Sequence, residues 1–427
     1  MNDHHGSNLE SLQAAEARLL IPTYERSPHL FVEGHGVHLV DENGQQFLDL
    51  LSGIGCSALG YAHPAITAAI LDQAPRLLHT SNLFFHEHTA PLALRLTEIS
   101  GLDRVFFTNS GTEAWEAALK LARAHATVLR ERGQHIGTRF LALEHSFHGR
   151  TIGSVATTHK LRYREPFAPV MPEVSFVRFN DVEHLRELFS ADVCGICVEP
   201  IQGEGGIHEV SREFLLAARE LCDSTGALLI ADEIQCGFGR TGEWFAFQHF
   251  GIRPDLVTVA KPLAGGLPIG ALLSTDEAAT GFAPGLHGTT FGGGPLVTAV
   301  AAAVIDTIRH TDLLAHIRET GAYFLKELQA LAERHPGVIR EVRGRGLMIG
   351  VELFSADLAR EIAATMLSQH HIILNRTSDT VLRFLPPYIL ERDHVDQAVA
   401  ALETTLSAAA TMVSTTAAPA PGDNFHE

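Results

Sequence analysis

The chain has 427 residues, 45% of them hydrophobic and 37 of them glycine. That balance fits two or three domains of a large α/β protein and excludes a disordered or fibrous chain. With 32 basic against 50 acidic residues the formal charge is −18, so nucleic acid is a poor partner and acidic substrates must rely on individually placed arginines.

Residues 1–8 are polar and carry no apolar signal segment. No run in the chain approaches the roughly 18 apolar residues of a membrane span, and the reading is a cytoplasmic protein without membrane contact. Leu30 to Val40 and Gln46 to Leu50 alternate apolar and polar residues around Asp41-Glu-Asn-Gly44, which predicts a β-hairpin. From about residue 100 to 310 apolar runs alternate with helical patterns. The runs are Val105–Thr108, Phe140–Leu143, Val174–Val177, Val193–Val198, Ala227–Ala231, Leu256–Val259 and Ile269–Ser274, with helices near 112–132, 211–225 and 295–309. This alternation predicts an α/β domain with a mostly parallel sheet covered on both faces.

After residue 310 the texture changes to helix 313–335, strands at Val338–Val342, Leu347–Leu353, Ile372–Leu374 and Val381–Phe384, and helices near 357–369 and 392–410. The expected organisation is a large domain over 76–312 and a smaller α+β domain over 313–410, joined by the N-terminal segment 1–75. A small, polar, proline-bearing tail over 411–427 reads as disordered.

The five cysteines form no paired framework, as in a reducing compartment. Cys194-Gly-Ile-Cys197 has the spacing of a metal knuckle but lies inside a strand-like run, and no second pair completes a zinc site, so it reads as core. The 25 histidines are scattered and show no helical ligand spacing.

Only four lysines occur, and Lys261 alone ends a buried apolar run, Asp255 to Ala260, before a glycine-rich turn. Desolvation pushes such a lysine toward the neutral, nucleophilic amine that forms Schiff bases. Two other strand ends converge on the same edge, where ligands of open α/β sheets bind. Val105-Phe-Phe-Thr-Asn-Ser110-Gly111-Thr112 is a strand, a small-residue turn and a helix start, which offers free N–H groups to a phosphate. Ala227-Leu-Leu-Ile-Ala-Asp232 places a carboxylate at a buried strand end, where it needs a cationic partner. Each feature has an ordinary structural reading as a turn, a cap or an ion pair. Together they match the requirements of pyridoxal 5′-phosphate (PLP): a lysine for the aldehyde, an aspartate for the ring nitrogen, and a helix terminus for the phosphate.

The chain also resembles a known family, the class III (ornithine-type) aminotransferases of the fold type I PLP enzymes. The resemblance rests on Thr108-Asn-Ser-Gly-Thr-Glu-Ala114, Ser146-Phe-His-Gly-Arg-Thr151, Val198-Glu-Pro-Ile-Gln-Gly-Glu-Gly-Gly206, Asp232-Glu-Ile-Gln-Cys-Gly-Phe-Gly-Arg-Thr-Gly242, Ala260-Lys-Pro-Leu-Ala-Gly-Gly266, His287-Gly-Thr-Thr-Phe-Gly-Gly293 and Leu382-Arg-Phe-Leu-Pro-Pro387. It implies that Lys261 binds the cofactor and moves the proton, and that Asp232 pairs with the ring nitrogen. Gln235 would bond the ring hydroxyl, and Phe147 and Ile234 would cover the two ring faces. Ser110, Gly111 and Thr112 would hold the phosphate. Thr290 would reach the phosphate of a neighbouring subunit, which implies a homodimer with shared sites.

For substrates the resemblance implies that Arg150 and Arg383 clamp carboxylates, and that Glu204 pairs with Arg383 when an amine donor lacks one. Gly53 to Gly60 and His79 to Phe84 are similar to the N-acetylornithine group within the family, with Tyr24 and Ile54 on the substrate side. That likeness implies transfer of the δ-amino group of N2-acetyl-L-ornithine to 2-oxoglutarate. An ornithine, succinylornithine or 4-aminobutyrate donor, a PLP aminomutase, and a non-catalytic PLP-binding module remain alternatives. Trp115 and Gly294 stand where the family commonly has asparagine, and Pro262 and Ala264 where it frequently has glycine.

Overall fold

The structure is a computed structural model that describes residues 9–416. The disorder expected for residues 1–8 and for the end of the tail, 417–427, falls outside the described residues. In chain order the strands are β1 (Phe31–His35), β2 (His38–Asp41), β3 (Gln46–Asp49), β4 (Arg104–Thr108), β5 (Arg139–Leu143), β6 (Val174–Val177), β7 (Val193–Val198), β8 (Ile201–Gln202), β9 (His208–Glu209), β10 (Leu228–Asp232), β11 (Leu256–Val259), β12 (Gly270–Ser274), β13 (Ile339–Arg345), β14 (Met348–Leu353), β15 (Ile372–Ile373), β16 (Asn375–Thr377) and β17 (Val381–Phe384).

Seven of them form the central sheet in the order β4-β12-β11-β10-β7-β5-β6. Only β12 runs against its neighbours, pairing antiparallel with β11 and β4. The apolar runs explain why the sheet is internal: every residue of β7, β10, β11 and β12 is buried, as expected for strands packed on both faces. Cys194 and Cys197 lie inside β7 as free, buried thiols. Because the remaining strands are parallel, the chain leaves β4, β5, β7, β10 and β11 at one edge, and the site assembles there.

The N-terminal strands form a sheet ordered β1-β2-β3-β15, in which Ile372 and Ile373 pair parallel with Leu48 and Asp49. Strands β1 to β3 are thus tied to the C-terminal part. Sequence periodicity does not predict helices Leu9–Leu19, Pro64–Gln73 and Thr89–Ser100, and the last helix continues to Thr416. Among the described residues no helix is long and apolar enough to cross a membrane.

The seam between the central sheet and the C-terminal strands closes on Arg240. This fully buried guanidinium donates to the carbonyl oxygens of Leu347, at 3.1 Å, and Pro386, and lies 4.6 Å from the Tyr388 ring centre. Tyr388 in turn donates to Phe238 O at 2.8 Å. Arg240→Ala strands two buried carbonyls, each costing about 1–3 kcal/mol. It is expected to lower the thermal unfolding midpoint by about 5–10 °C, and scanning calorimetry showing an unchanged midpoint would remove Arg240 from this role.

Candidate active site

A cavity of about 410 Å³ opens at the carboxyl edge of the central sheet. β4 leads into helix Gly111–Glu131, whose cap is Ser110: its extended backbone lets the side chain accept the Glu113 N–H at 3.3 Å. The Gly111 and Thr112 N–H groups find no acceptor among the described residues, and both residues line the cavity. A side chain at Gly111 would place its Cβ 2.9 Å from Ile234 Cδ1. Glycine therefore keeps the helix start close to the opposite wall, and the free N–H groups make an anion cradle.

β10 delivers Asp232 into the cavity with only 4% of its side chain exposed. Its Oδ2 lies 2.7 Å from His148 Nδ1, and its Oδ1 accepts from Ile234 N–H at 3.1 Å and from Thr258 Oγ1 at 3.3 Å. An ionised carboxylate only accepts, so His148 Nδ1 carries the hydrogen. Glu199, just after β7, is a second buried acid. It accepts from Phe147 N–H at 2.9 Å and Gly203 N–H at 3.2 Å, and burial together with the Asp232 charge pushes it well above the carboxylate range.

β11 ends two residues before Lys261, which opens a tight turn to Ala264 with φ of +24°. A non-glycine residue in that region stores strain, typically of order 1–3 kcal/mol. Lys261 Nζ has no hydrogen-bond partner among the described residues, and burial, helped by the Arg383 guanidinium, pulls its pKa below the ordinary lysine value. The amine is thereby held toward its nucleophilic form. Cys56 lines the same cavity, its thiol pushed up by burial.

At the far side Arg383, on β17 and 1% exposed, ion-pairs with Glu204 from the turn between β8 and β9. The guanidinium also donates to Gln235 Oε1 at 3.0 Å and to Asn375 Oδ1 at 3.1 Å. Burial pushes the Glu204 carboxyl up, but Arg383 outweighs it and the net shift is downward. Gln235, expected at a ring hydroxyl, lines the cavity while bridging this pair.

Phe147 and Ile234 also line the cavity, so it gathers Ser110, Gly111, Thr112, Asp232 and Lys261 between them. Six expected residues lie outside its lining: the paired Glu204 and Arg383 at the far side, and Arg150, Thr290, Tyr24 and Ile54. Arg150 is exposed and stacks 3.9 Å from the Tyr163 ring centre. Thr290 is exposed, Tyr24 is 80% exposed beside the first helix, and Ile54 is 40% exposed. Sequence reasoning missed His148 and Glu199. Glu199 carries the same signal as Asp232, an acid ending an apolar strand; His148 gives no signal beyond its place beside Phe147.

Residues 22–406 match the aminotransferase class-III family. The chain belongs to that family. It is 43% identical over 390 residues to the acetylornithine aminotransferase of Methanocaldococcus jannaschii, covering 91% of this chain and 96% of that one. It is 46% identical over 378 residues to acetylornithine aminotransferase 1 of Bordetella bronchiseptica, covering 88% and 94%. Among solved structures, ornithine aminotransferase from Toxoplasma gondii superposes with a TM-score of 0.89 at 31% identity, covering 95% of this chain and 96% of that one. The acetylornithine aminotransferase from Elizabethkingia anophelis gives 0.82 at 29% identity, covering 94% and 99%.

The chain is therefore a PLP-dependent transaminase acting on small molecules. The residues present fit the cofactor: a free N–H cradle for a phosphate, a dry carboxylate for a pyridine nitrogen, and an unpartnered amine for an aldehyde. The Glu204–Arg383 pair also yields a prediction, because Glu204 competes with any ligand carboxylate for the guanidinium. Glu204→Gln should tighten binding of glutarate, an unreactive dicarboxylate, by about tenfold, equal to about 1.4 kcal/mol. Calorimetry on the holoenzyme measures this; unchanged or weaker binding would mean that Glu204 does not guard Arg383.

Proposed function

We propose that this chain moves the δ-amino group of N2-acetyl-L-ornithine to 2-oxoglutarate, giving N-acetyl-L-glutamate 5-semialdehyde and L-glutamate, a step of arginine biosynthesis. The observation that carries the reading is the buried Arg383 already neutralised by Glu204. A terminal amine has no carboxylate on its reacting carbon, so Glu204 satisfies the guanidinium during that half-reaction. Glutamate and 2-oxoglutarate bring their own carboxylate, and Glu204 then gives way. The acetylornithine aminotransferases to which the chain is similar support the acylated donor.

Bound PLP supplies an electron sink that acidifies the hydrogens on the amine-bearing carbon. In this reading Lys261 Nζ, kept toward its neutral form, takes the proton from that carbon and returns it at the other end of the transfer. Asp232 faces the ring nitrogen and stabilises its charge. Ser110 caps the helix whose Gly111 and Thr112 N–H groups hold the phosphate. Phe147 and Ile234 exclude water from the two ring faces, and Gln235 faces the ring hydroxyl. Arg150 takes the distal carboxylate, while Tyr24 and Ile54 line the approach of the acylated end.

The active unit is read as a homodimer. Leu83, Phe84, Phe85 and Phe291 are exposed apolar side chains, and Asn82 ties the first three to the loop of Thr290 through the Thr289 and Gly292 carbonyls. A second copy covering this face would bring Thr290 to the partner's phosphate. A cytoplasmic location belongs to the same reading, with all five cysteines unpaired.

Lys261→Ala is expected to remain folded and dimeric by circular dichroism and sedimentation, yet lose at least about 10³-fold in turnover. Turnover near the parental rate would sink the assignment. Among N-acetylornithine, N-succinylornithine, ornithine and 4-aminobutyrate, the first should show the highest kcat/KM; faster turnover of another donor would overturn the substrate while keeping the reaction.

A further inference from the structure

We infer that Trp115 is a positioning residue for Asp232, acting through the imidazole of His148. The inference rests on Asp232 serving the cofactor ring as proposed above. Trp115 is fully buried on helix Gly111–Glu131, one turn from the phosphate cradle. Its indole lies face to face on His148, with ring centres 4.0 Å apart and planes within 4°. The indole is itself fixed: Nε1 donates to Thr157 Oγ1 at 2.9 Å, and that hydroxyl donates to Ser154 O at 3.0 Å.

His148 needs such a support. Its backbone N–H is anchored on Thr158 Oγ1 at 3.0 Å, but among the described residues its ring has a single polar partner, Asp232 Oδ2. His148 Nε2 is buried and has no hydrogen-bond partner among the described residues. A ring tethered at one nitrogen swings about its own side-chain torsions, and turning it over replaces the Nδ1 donor by a carbon. The flat indole face removes that freedom and keeps Nδ1 on the carboxylate. Stacked aromatic contact also contributes beyond the area it buries. Asp232 Oδ2 thereby keeps its donor, and Oδ1 stays on Ile234 N–H and Thr258, so the carboxylate presents one orientation to the cavity.

A large buried indole also fills space, and filling alone predicts a loss of stability without regard to His148. Three variants separate the two roles. Trp115→Leu removes the flat face, Trp115→Phe keeps a ring that can stack, and His148→Asn removes the imidazole. In the holoenzyme, Trp115→Leu should weaken PLP retention and lower kcat by about tenfold each, with KM for both substrates changed less than about twofold. Trp115→Phe should restore both. Introduced into His148→Asn, Trp115→Leu should add no further loss of cofactor. Equal losses with and without His148, or no rescue by phenylalanine, would overturn the proposal.

A crystal structure of the Trp115→Leu protein decides the geometry independently of the substrate. Loss of the 2.7 Å contact between His148 and Asp232 supports the inference, and an unaltered contact overturns it even if the reaction is as proposed. Conversely, wild-type protein that neither retains PLP nor transaminates would remove the functional reading while leaving this contact to be judged by the crystal structure. Should the leucine variant fail to fold, Trp115→Met carries the same expectations.

Discussion

A carboxylate held dry at the end of β10 sets the terms for everything around it. Burying a charge without partners costs far more than a fold can offset, so Asp232 must be surrounded by donors. It has His148 Nδ1, the Ile234 N–H and the Thr258 hydroxyl. The neighbouring acids are handled differently. Glu233 accepts from the Ala246 and Phe247 N–H groups, and burial nevertheless pushes its pKa up to about 7. Glu199 is likewise pushed well above the carboxylate range by burial and by Asp232 itself. Of the three acids, Asp232 is the one that has a histidine. That contrast sets it apart as the acid with a side-chain donor network at the cavity wall, as its proposed role beside a cationic ring requires.

Topology supplies the rest. A parallel sheet with one reversed strand delivers Ser110, Phe147, Glu199, Asp232 and Lys261 to one edge from five different strands. Each of these side chains therefore lies at or just beyond a strand whose carboxyl end is buried, and only the short turn after it is free to be shaped by chemistry. The positive φ of Lys261 is one such local distortion. It is tolerated because β11 and the Pro262–Ala264 turn, buried on both sides, over-determine it.

Much of this was legible because burial and period are written directly into the chain. The seven strands of the central sheet read as continuous apolar runs, and the observed limits differ from those runs by a residue or two. Helix Leu9–Leu19 buries none of its residues and so leaves no stripe to detect. Pro64–Gln73 carried a usable sign, His63 followed by proline at the first helical position, but its weak apolar face hides it. At the site, Lys261 and Asp232 were readable because a charge ending an apolar run violates the pattern. His148 was not, since a histidine in a polar loop violates nothing. Its role exists only through a contact 84 positions away in sequence. Trp115 stood out by type, yet nothing in its neighbours reveals the ring it covers.

The two members of the Glu204–Arg383 pair are not equivalent, and the difference says which one would move in the proposed reaction. Arg383 lies within β17, almost wholly buried, and its guanidinium also holds Gln235 and Asn375. Displacing it would break a strand-borne network and leave those acceptors dry. Glu204 stands at the tip of the β8–β9 ribbon with a third of its side chain exposed, flanked by Gly203 and Gly205. Water could receive its carboxylate if a substrate carboxylate took its place as proposed, so the exchange would desolvate one anion as it solvates another. The ribbon need not travel with it, because Thr377 Oγ1 pins Gly203 O at 3.0 Å and Arg343 holds Gly206 O. A side-chain rotation on a fixed turn is therefore the least costly way for one pocket to admit a donor without that carboxylate and an acceptor with it.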